Sequence, residues 1–309
     1  MDNSGTAKEH VGRTYADVDG YCPLAAYLGT QGFCLDLALR PGSQHSANET
    51  EYNIERVLPM AAKVTVAPQL VRADSGFDSA RLICAIGGEA RALGREVAFI
   101  IKWNPRSTPV ESIAKDKAAD ASTAWTVLRE GKRQCVWAQS VELRHGQASL
   151  TVRRVYRLTE RTIDKKGQQM LLPEYVLEGW SMPQAFTPAQ IIALYADHGA
   201  HEQFHSEFKT DMDLVRLPSG KFDTNYLVCA LAAVAMNLLR RVGQHTLHGP
   251  QSPVRHGAQR RRIRTVMPEL MFKAARMMHH ARQWVLGLGQ NDLAFAAFER
   301  HWRQLDGVV

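Results

Sequence analysis

Apolar positions cluster into short runs over the first hundred residues, then alternate, then recur at helical spacing. Residues 1 to about 20 are polar and predict no strand. Tyr21–Leu28 and Phe33–Leu39 are apolar runs separated by the turn Gly29–Gly32, which predicts a β-hairpin, and Arg40-Pro41-Gly42 ends it. Ile54, Val57, Leu58 and Ala61 share one face of a helix expected to run to about Ala62, with Asn48 or Thr50 as its cap. Gln69–Ala73 reads as a short strand ending at Asp74, Phe77–Ala90 as a helix, and Glu96–Trp103 as a buried strand. That succession of strands and helices predicts an α/β sheet.

From about 104 to 183 the period becomes two. Trp137–Leu143, Ser149–Leu158 and Glu174–Trp180 alternate apolar with polar residues, and Asp164-Lys165-Lys166-Gly167 forms a hairpin tip. This predicts an antiparallel β region inserted into the α/β domain. Thr187-Pro188 then reads as an N-cap with proline at the first helical position. The helix carries Ile191, Ile192, Leu194 and Tyr195, and continues or restarts through Glu202, Phe204, Glu207 and Phe208. Another helix is expected over about Phe222–Arg241, an exposed linker over 243–262, and two closing helices over about Pro268–Leu286 and Asn291–Leu305.

Composition narrows the picture. The 309 residues suffice for one large domain or two small ones. An apolar fraction of 45% with 22% charged residues is ordinary for a soluble globular chain. The net charge of +7 and pI near 9.2 suit a polyanionic partner. Cys22, Cys34, Cys84, Cys135 and Cys229 are scattered and odd in number, against a disulfide framework or zinc ribbon and for a reducing compartment. The N-terminus is too polar for a signal peptide, and the apolar stretch Tyr226–Leu239 is too short to span a bilayer, so it reads as a buried helix and no membrane association is expected.

Asp74 is the sharpest chemical position. It ends a strand, where open α/β sheets bind ligands, and Gly76 permits a tight turn behind it. The bland reading is a strand-to-helix cap, a task suited to both Asp and Ser. Tyr195, His198, Glu202 and Lys209 fall along roughly one helical stripe, with Phe204 and Phe208 on the core-facing side. A carboxylate flanked by tyrosine and cations suits a phosphate backbone, although a solvated helix face looks the same. His201-Glu202-Gln203-Phe204-His205 also matches the zincin pattern, without its downstream third ligand. His45 follows a strand but is a lone loop histidine. Arg255, Arg260, Arg261, Arg262 and Arg264 form a basic run that suits nucleic acid, and Lys273, Arg276, His279, His280 and Arg282 extend it.

These pieces together resemble one family. Arg72-Ala73-Asp74-Ser75-Gly76-Phe77 is similar to the second-carboxylate strand of insertion-sequence transposases of the IS1380 group, in the IS4-like DDE class. The Tyr195-to-Lys209 spacing is similar to that class's Tyr-Arg-Glu-Lys signature. Asp2 to Thr6, Asp19 to Tyr21, Leu39 to Ser46 and Arg262 to Val266 resemble the same group. The resemblance implies an RNase H-like mixed sheet flanked by helices, with a β-rich insertion before the glutamate helix and a C-terminal helical region. It implies three carboxylates holding two Mg²⁺ ions about 3.5–4 Å apart for phosphodiester cleavage and strand transfer. By it Asp74 and Glu202 are catalytic metal ligands. Tyr195, His198 in place of the signature arginine, and Lys209 handle DNA, as do Arg261, Arg262 and Arg264.

It further implies residues 1–103 as the first part of the catalytic domain, 104–183 as the insertion, 184–242 as the remainder with the glutamate helix, and 243–309 as basic linker and C-terminal helices. The partners implied are the element's terminal inverted repeats and target DNA, acting in the bacterial cytoplasm at the nucleoid; a homodimer is left open. The first carboxylate belongs on a strand preceding the hairpin, so the chain is expected to start after that strand, with Asp2 as the nearest survivor and Asp17 and Asp19 as weaker candidates. That expectation makes the chain an N-terminally truncated, impaired transposase. A non-catalytic DNA-binding remnant and a zinc hydrolase using His201, Glu202 and His205 are the alternatives.

Overall fold

Each apolar run of the first hundred residues becomes a strand or a helix in the computed structural model, which describes residues 1–183, 186–196, 200–247, 260–289 and 294–306. In chain order, β1 (Gly12–Arg13), β2 (Asp19–Gly20), β3 (Leu24–Leu28) and β4 (Phe33–Ala38) precede α1 (Thr50–Val64) and β5 (Gln69–Ala73). A 3₁₀ turn (Ser75–Phe77), α2 (Ala80–Leu93), β6 (Val97–Lys102) and α3 (Val110–Ala119) follow. Then come β7 (Trp125–Arg129), β8 (Lys132–His145), β9 (Ala148–Ile163), β10 (Gln169–Met182) and α4 (Pro188–Ala196). The last stretch holds α5 (Ala200–Ser206), a π turn (Glu207–Asp211), α6 (Phe222–Leu247), α7 (Ile263–Val266), a second π turn (Met267–Met271), β11 (Ala275–His280), β12 (Gln283–Leu288) and α8 (Phe295–Asp306). The chain divides into two compact units, His45–Gly199 and Met1–Gln44 with Ala200–Val309.

The first of these is a mixed sheet flanked by helices. Its order is β5-β6-β10-β9-β8-β7; β5 and β6 run parallel and every other pair is antiparallel. A short parallel pair joined through α2 is what the strand–helix–strand pattern of 69–103 requires. One apolar core joins Ile83 and Ile86 of α2 to Phe99 and Ile101 of β6 and Val152 of β9. The long antiparallel strand β9 is buried on both faces, with Val152 and Leu158 fully buried on one and Val155 on the other, while Arg133 faces Glu160 and Arg157 faces Glu178 across rungs. Trp137 stacks on its cross-strand partner Tyr156 with ring centroids 5.2 Å apart, and Trp103 meets Tyr156 edge-on.

The second unit is mostly helical. The hairpin β3–β4 forms its own two-stranded sheet. A helix side chain takes the place of a strand on its outer edge: Asn237 of α6 accepts from Cys34 N–H and donates to Cys34 C=O, both at 2.7 Å. The core gathers Tyr21, Leu37, Phe204, Phe208, Cys229 and Met236. Gly32 has φ +73°, and a Cβ there would stand 2.3 Å from the Phe204 ring, so glycine is required twice over.

Four expectations change. The polar N-terminus does form strands: β1 pairs with β2, Asp2 bridges Gly20, and a Cβ on Gly20 would fall 1.9 Å from the Met1 carbonyl oxygen. Backbone closeness joins these short strands, and the buried Asn3, accepting from Lys8 Nζ and Leu217 N–H, helps hold the segment. The cap position of α1 is Glu49, in the left-handed region, and not Asn48 or Thr50. The helix Phe222–Leu247 is longer than its apolar stretch and buried on one side only; Leu227, Leu231, Val234 and Leu238 are exposed. Its span Phe222–Thr246 is long and apolar enough to cross a membrane by length and composition alone. Finally, the helix expected over Pro268–Leu286 gives way to the hairpin β11–β12, whose two-residue turn Ala281-Arg282 has positive φ at both positions, the twist-matched geometry of tight hairpins.

Candidate metal and nucleic-acid site

Asp74 stands one residue past the C-terminal end of β5, beside the parallel neighbour β6. Its Oδ1 accepts the Gly76 N–H at 2.8 Å, and its carbonyl accepts from Phe77 N–H at 3.1 Å. The long helix behind it has another cap: Ser79 Oγ accepts from Leu82 N–H at 3.4 Å, and α2 starts at Ala80, three residues later than expected. Asp74 therefore fixes only its own tight turn, and its side chain is exposed. Asp78 serves the same loop, its Oδ2 accepting from Asn104 N–H at 3.1 Å.

Tyr195 belongs to the same unit. Thr187 and Gln190 form a reciprocal capping box at the start of α4, with Gln190 N–H donating to Thr187 Oγ1 (3.3 Å) and Thr187 N–H to Gln190 Oε1 (2.9 Å). Arg72 of β5 donates to the Leu194 carbonyl at 3.1 Å, tying the strand before Asp74 to the end of α4. The Tyr195 phenol is pushed up to about 12, first by burial, then by the negative charges of Asp74 and Glu178. Asp74 and Tyr195 are thus electrostatic neighbours.

The other residues of the signature lie in the helical unit. Glu202 sits in the first turn of α5, where the helix dipole favours a carboxylate, and its side chain is exposed. Lys209 is exposed on the π turn and lowers the pKa of the Met1 amine, after burial, while Asp2 raises it. Asp2 is exposed, accepts the Ser4 N–H at 2.9 Å, and is held below the usual carboxylate range by that bond. Asp17 and Asp19 are paired to Arg13 at 2.8 and 3.4 Å. His198 and Arg255 lie outside the described residues, as does the His201 side chain. The His205 ring Nδ1 lies 3.3 Å from the Tyr27 hydroxyl, and among the described residues no three His, Cys, Asp or Glu side chains group as a metal site. His45 Nδ1 accepts from Ala47 N–H, closing its own turn.

Two acids that the apolar pattern hides organise the arginine run. Met212 N–H bonds to the Glu207 carbonyl, the five-residue closure of a π turn, and Glu207, three residues after Phe204, lies on the same buried side as Phe204 and Phe208. Fully buried, Glu207 meets Arg240 at 2.8 Å and Arg260 at 3.1 Å, and accepts from Ile263 N–H at 3.3 Å. Both guanidiniums lie over the Phe204 ring, at 5.8 and 4.5 Å. Asp211 takes Arg262 with both oxygens, at 2.8 and 3.0 Å, and the Arg264 N–H at 3.2 Å. The Arg261 carbonyl accepts from Arg240, and the side chains of Arg262 and Arg264 are exposed. The run expected to meet nucleic acid is thereby anchored to the segment that follows Glu202. An acidic pair four residues apart in a basic chain is the signal that could have found it.

The fold and its strand-end carboxylate define a mixed α/β protein with a six-stranded sheet flanked by helices. The family described as Transposase DDE domain group 1 matches residues 5–306, and the chain belongs to that family. No curated protein matches it. Among solved structures it is similar to the cryo-EM structure of a piggyBac transposase synaptic complex with hairpin DNA, with 12% identity and a TM-score of 0.30. The match covers 71% of this chain and 43% of that one, and is too distant to add to the family assignment.

Proposed function

We propose that this chain is the catalytic part of an insertion-sequence transposase of the IS1380 group, with an RNase H-like fold, acting on DNA as its partner. Asp74 and Glu202 hold Mg²⁺ in this reading, with Asp2 as the candidate third carboxylate. The family's span over residues 5–306 is the observation that supports it most. Residues 1–103 and 184–242 then form the catalytic domain, 104–183 its insertion, and 243–309 a basic C-terminal segment.

The donor set fits the ion. Asp74, Glu202 and Asp2 are exposed carboxylates, the hard oxygen ligands Mg²⁺ takes sparingly while keeping its own waters. Gly76 N–H holds one oxygen of Asp74 and so fixes the carboxylate plane. Held there, Mg²⁺ would supply Lewis-acid activation of a water or 3′-hydroxyl and charge to stabilise the leaving oxygen. Tyr195, with its proton held up to about 12, remains a hydrogen-bond donor to phosphate throughout the neutral range. Lys209 supplies a point charge to the same backbone.

The test is nicking of supercoiled plasmid DNA by the full chain with Mg²⁺ or Mn²⁺. Asp74→Asn and Glu202→Gln are expected to drop nicking to background while DNA affinity is kept; undiminished nicking by either variant would sink the reading. DNA binding without any cleavage by the unaltered chain points instead to a non-catalytic remnant. Activity that follows Zn²⁺ and is lost in His205→Ala, but kept in Asp74→Asn, points to a zinc hydrolase.

A further inference from the structure

The hairpin β11–β12 is the least explained surface of the helical unit. Among the described residues its two strands pair only with each other, from Ala275↔Leu288 to His280↔Gln283. Every residue of β11 is exposed, and so are the first four of β12. A lone two-stranded hairpin is marginally stable in water, so a ribbon exposed on both faces needs something against it. Cross-strand partners share a face. One face therefore carries Met277 with Leu286 and His279 with Trp284; Trp284 is 72% exposed, and its ring lies 5.0 Å from that of His279. The other face carries Arg276, Met278, His280 and Val285, and Arg282 occupies the turn.

Charge selects the occupant. Between Met271 and Gln290 the chain has Lys273, Arg276 and Arg282, two histidines, and no Asp or Glu. A second copy packed on the ribbon about a two-fold axis would set these cations against themselves. We propose that β11–β12 is a DNA-gripping ribbon, in which Arg276 and Arg282 neutralise phosphates and Trp284 lies against or between bases. This rests on the reading of DNA as the partner and adds where the duplex is held. A two-stranded ribbon is an element that B-DNA's major groove, about 12 Å wide, admits. Exposed apolar side chains on a basic element are also the wedges by which proteins unstack base steps in the minor groove.

The test is fluorescence anisotropy of a labelled duplex titrated with the full chain across a range of salt. Each phosphate contact removed should flatten the dependence of log affinity on log salt by roughly 0.9. Arg276→Ala with Arg282→Ala is expected to flatten it by about twice that and to weaken binding about tenfold or more at ~0.1 M salt. Trp284→Ala should weaken binding severalfold with the slope unchanged. Removing two exposed arginines elsewhere, Arg129→Ala with Arg144→Ala, should leave the slope alone. Unaltered affinity and slope in the ribbon variants, or an equal slope change in the Arg129 and Arg144 control, would overturn the ribbon while leaving the transposase reading standing. So would a concentration-dependent dimer, seen by light scattering, that Trp284→Ala abolishes without touching DNA binding. No duplex binding by the unaltered chain would overturn both.

Discussion

One ion pair from each unit shows two opposite ways of keeping charge. In the sheet unit Arg133 grips Glu160 across a rung with two nitrogens at 2.9–3.0 Å, yet its side chain is 40% exposed. In the helical unit the charge goes inside, and the side chains of Glu207 and Arg240 are both 0% exposed. A sheet fixes its register through backbone rungs and a buried face, so ionic pairs only decorate it. Short helices broken by π turns have no such ladder. There the fork of Arg240 and Arg260 on one carboxylate sets which turn of chain faces which.

The largest expected effect breaks that contrast at its sharper end. Glu207→Leu strands Arg240 in the core and should cost about 3–5 kcal/mol, read by urea unfolding. Pairing it with Arg240→Met should recover most of the loss, because a buried ion pair exchanged for apolar packing is close to neutral. A double variant as unstable as the single one would mean that the charges do more than satisfy each other.

Next comes the sheet's own equivalent. Leu158→Ala empties a fully buried position on β9 and should cost about 2–5 kcal/mol. Alkaline titration should separate the units more gently. The Cys34 thiol is raised to about 12 by burial and then by Asp36; the Tyr195 phenol reaches the same value. Both values are raised on folding. Their stabilisation is complete below the unfolded values, about 9 for the thiol and 10 for the phenol, and is lost as pH climbs toward 12. Cys34→Val should therefore flatten the fall in unfolding midpoint from about pH 9 upward, and Tyr195→Phe only from about pH 10. The smallest effect belongs to Arg133 and Glu160, whose coupling in a double-mutant cycle should be under about 1 kcal/mol and fall with salt.

What the sequence made legible follows the same division. The strand ending at Asp74, the hairpin at 24–38 and the alternating strands are readable because their apolar residues form short runs or alternations bounded by turn residues. β11–β12 buries neither face, so no period marks it, and Met277, Trp284 and Leu286 mimic a helix. α3 escapes notice because only Ala114 of its ten residues is buried. The N-terminal strands are two residues long and depend on glycines that let backbones touch. Glu207 is hidden for a different reason: it stands three residues after Phe204 on the core-facing side, and an acid there reads as solvent-facing until its buried partners Arg240 and Arg260 are known. At the site, Asp74 and its turn were visible, whereas the burial that holds the Tyr195 proton is a tertiary fact.

The Asn237 amide on Cys34 has a consequence for the life of the chain before it is finished. A hairpin with an open outer edge is a template on which another molecule's strand can dock and grow. By spending both its donor and its acceptor on one rung, Asn237 closes that template at Cys34 as soon as α6 arrives. Because α6 follows the hairpin by some two hundred residues, this edge of β4 is closed only late in synthesis.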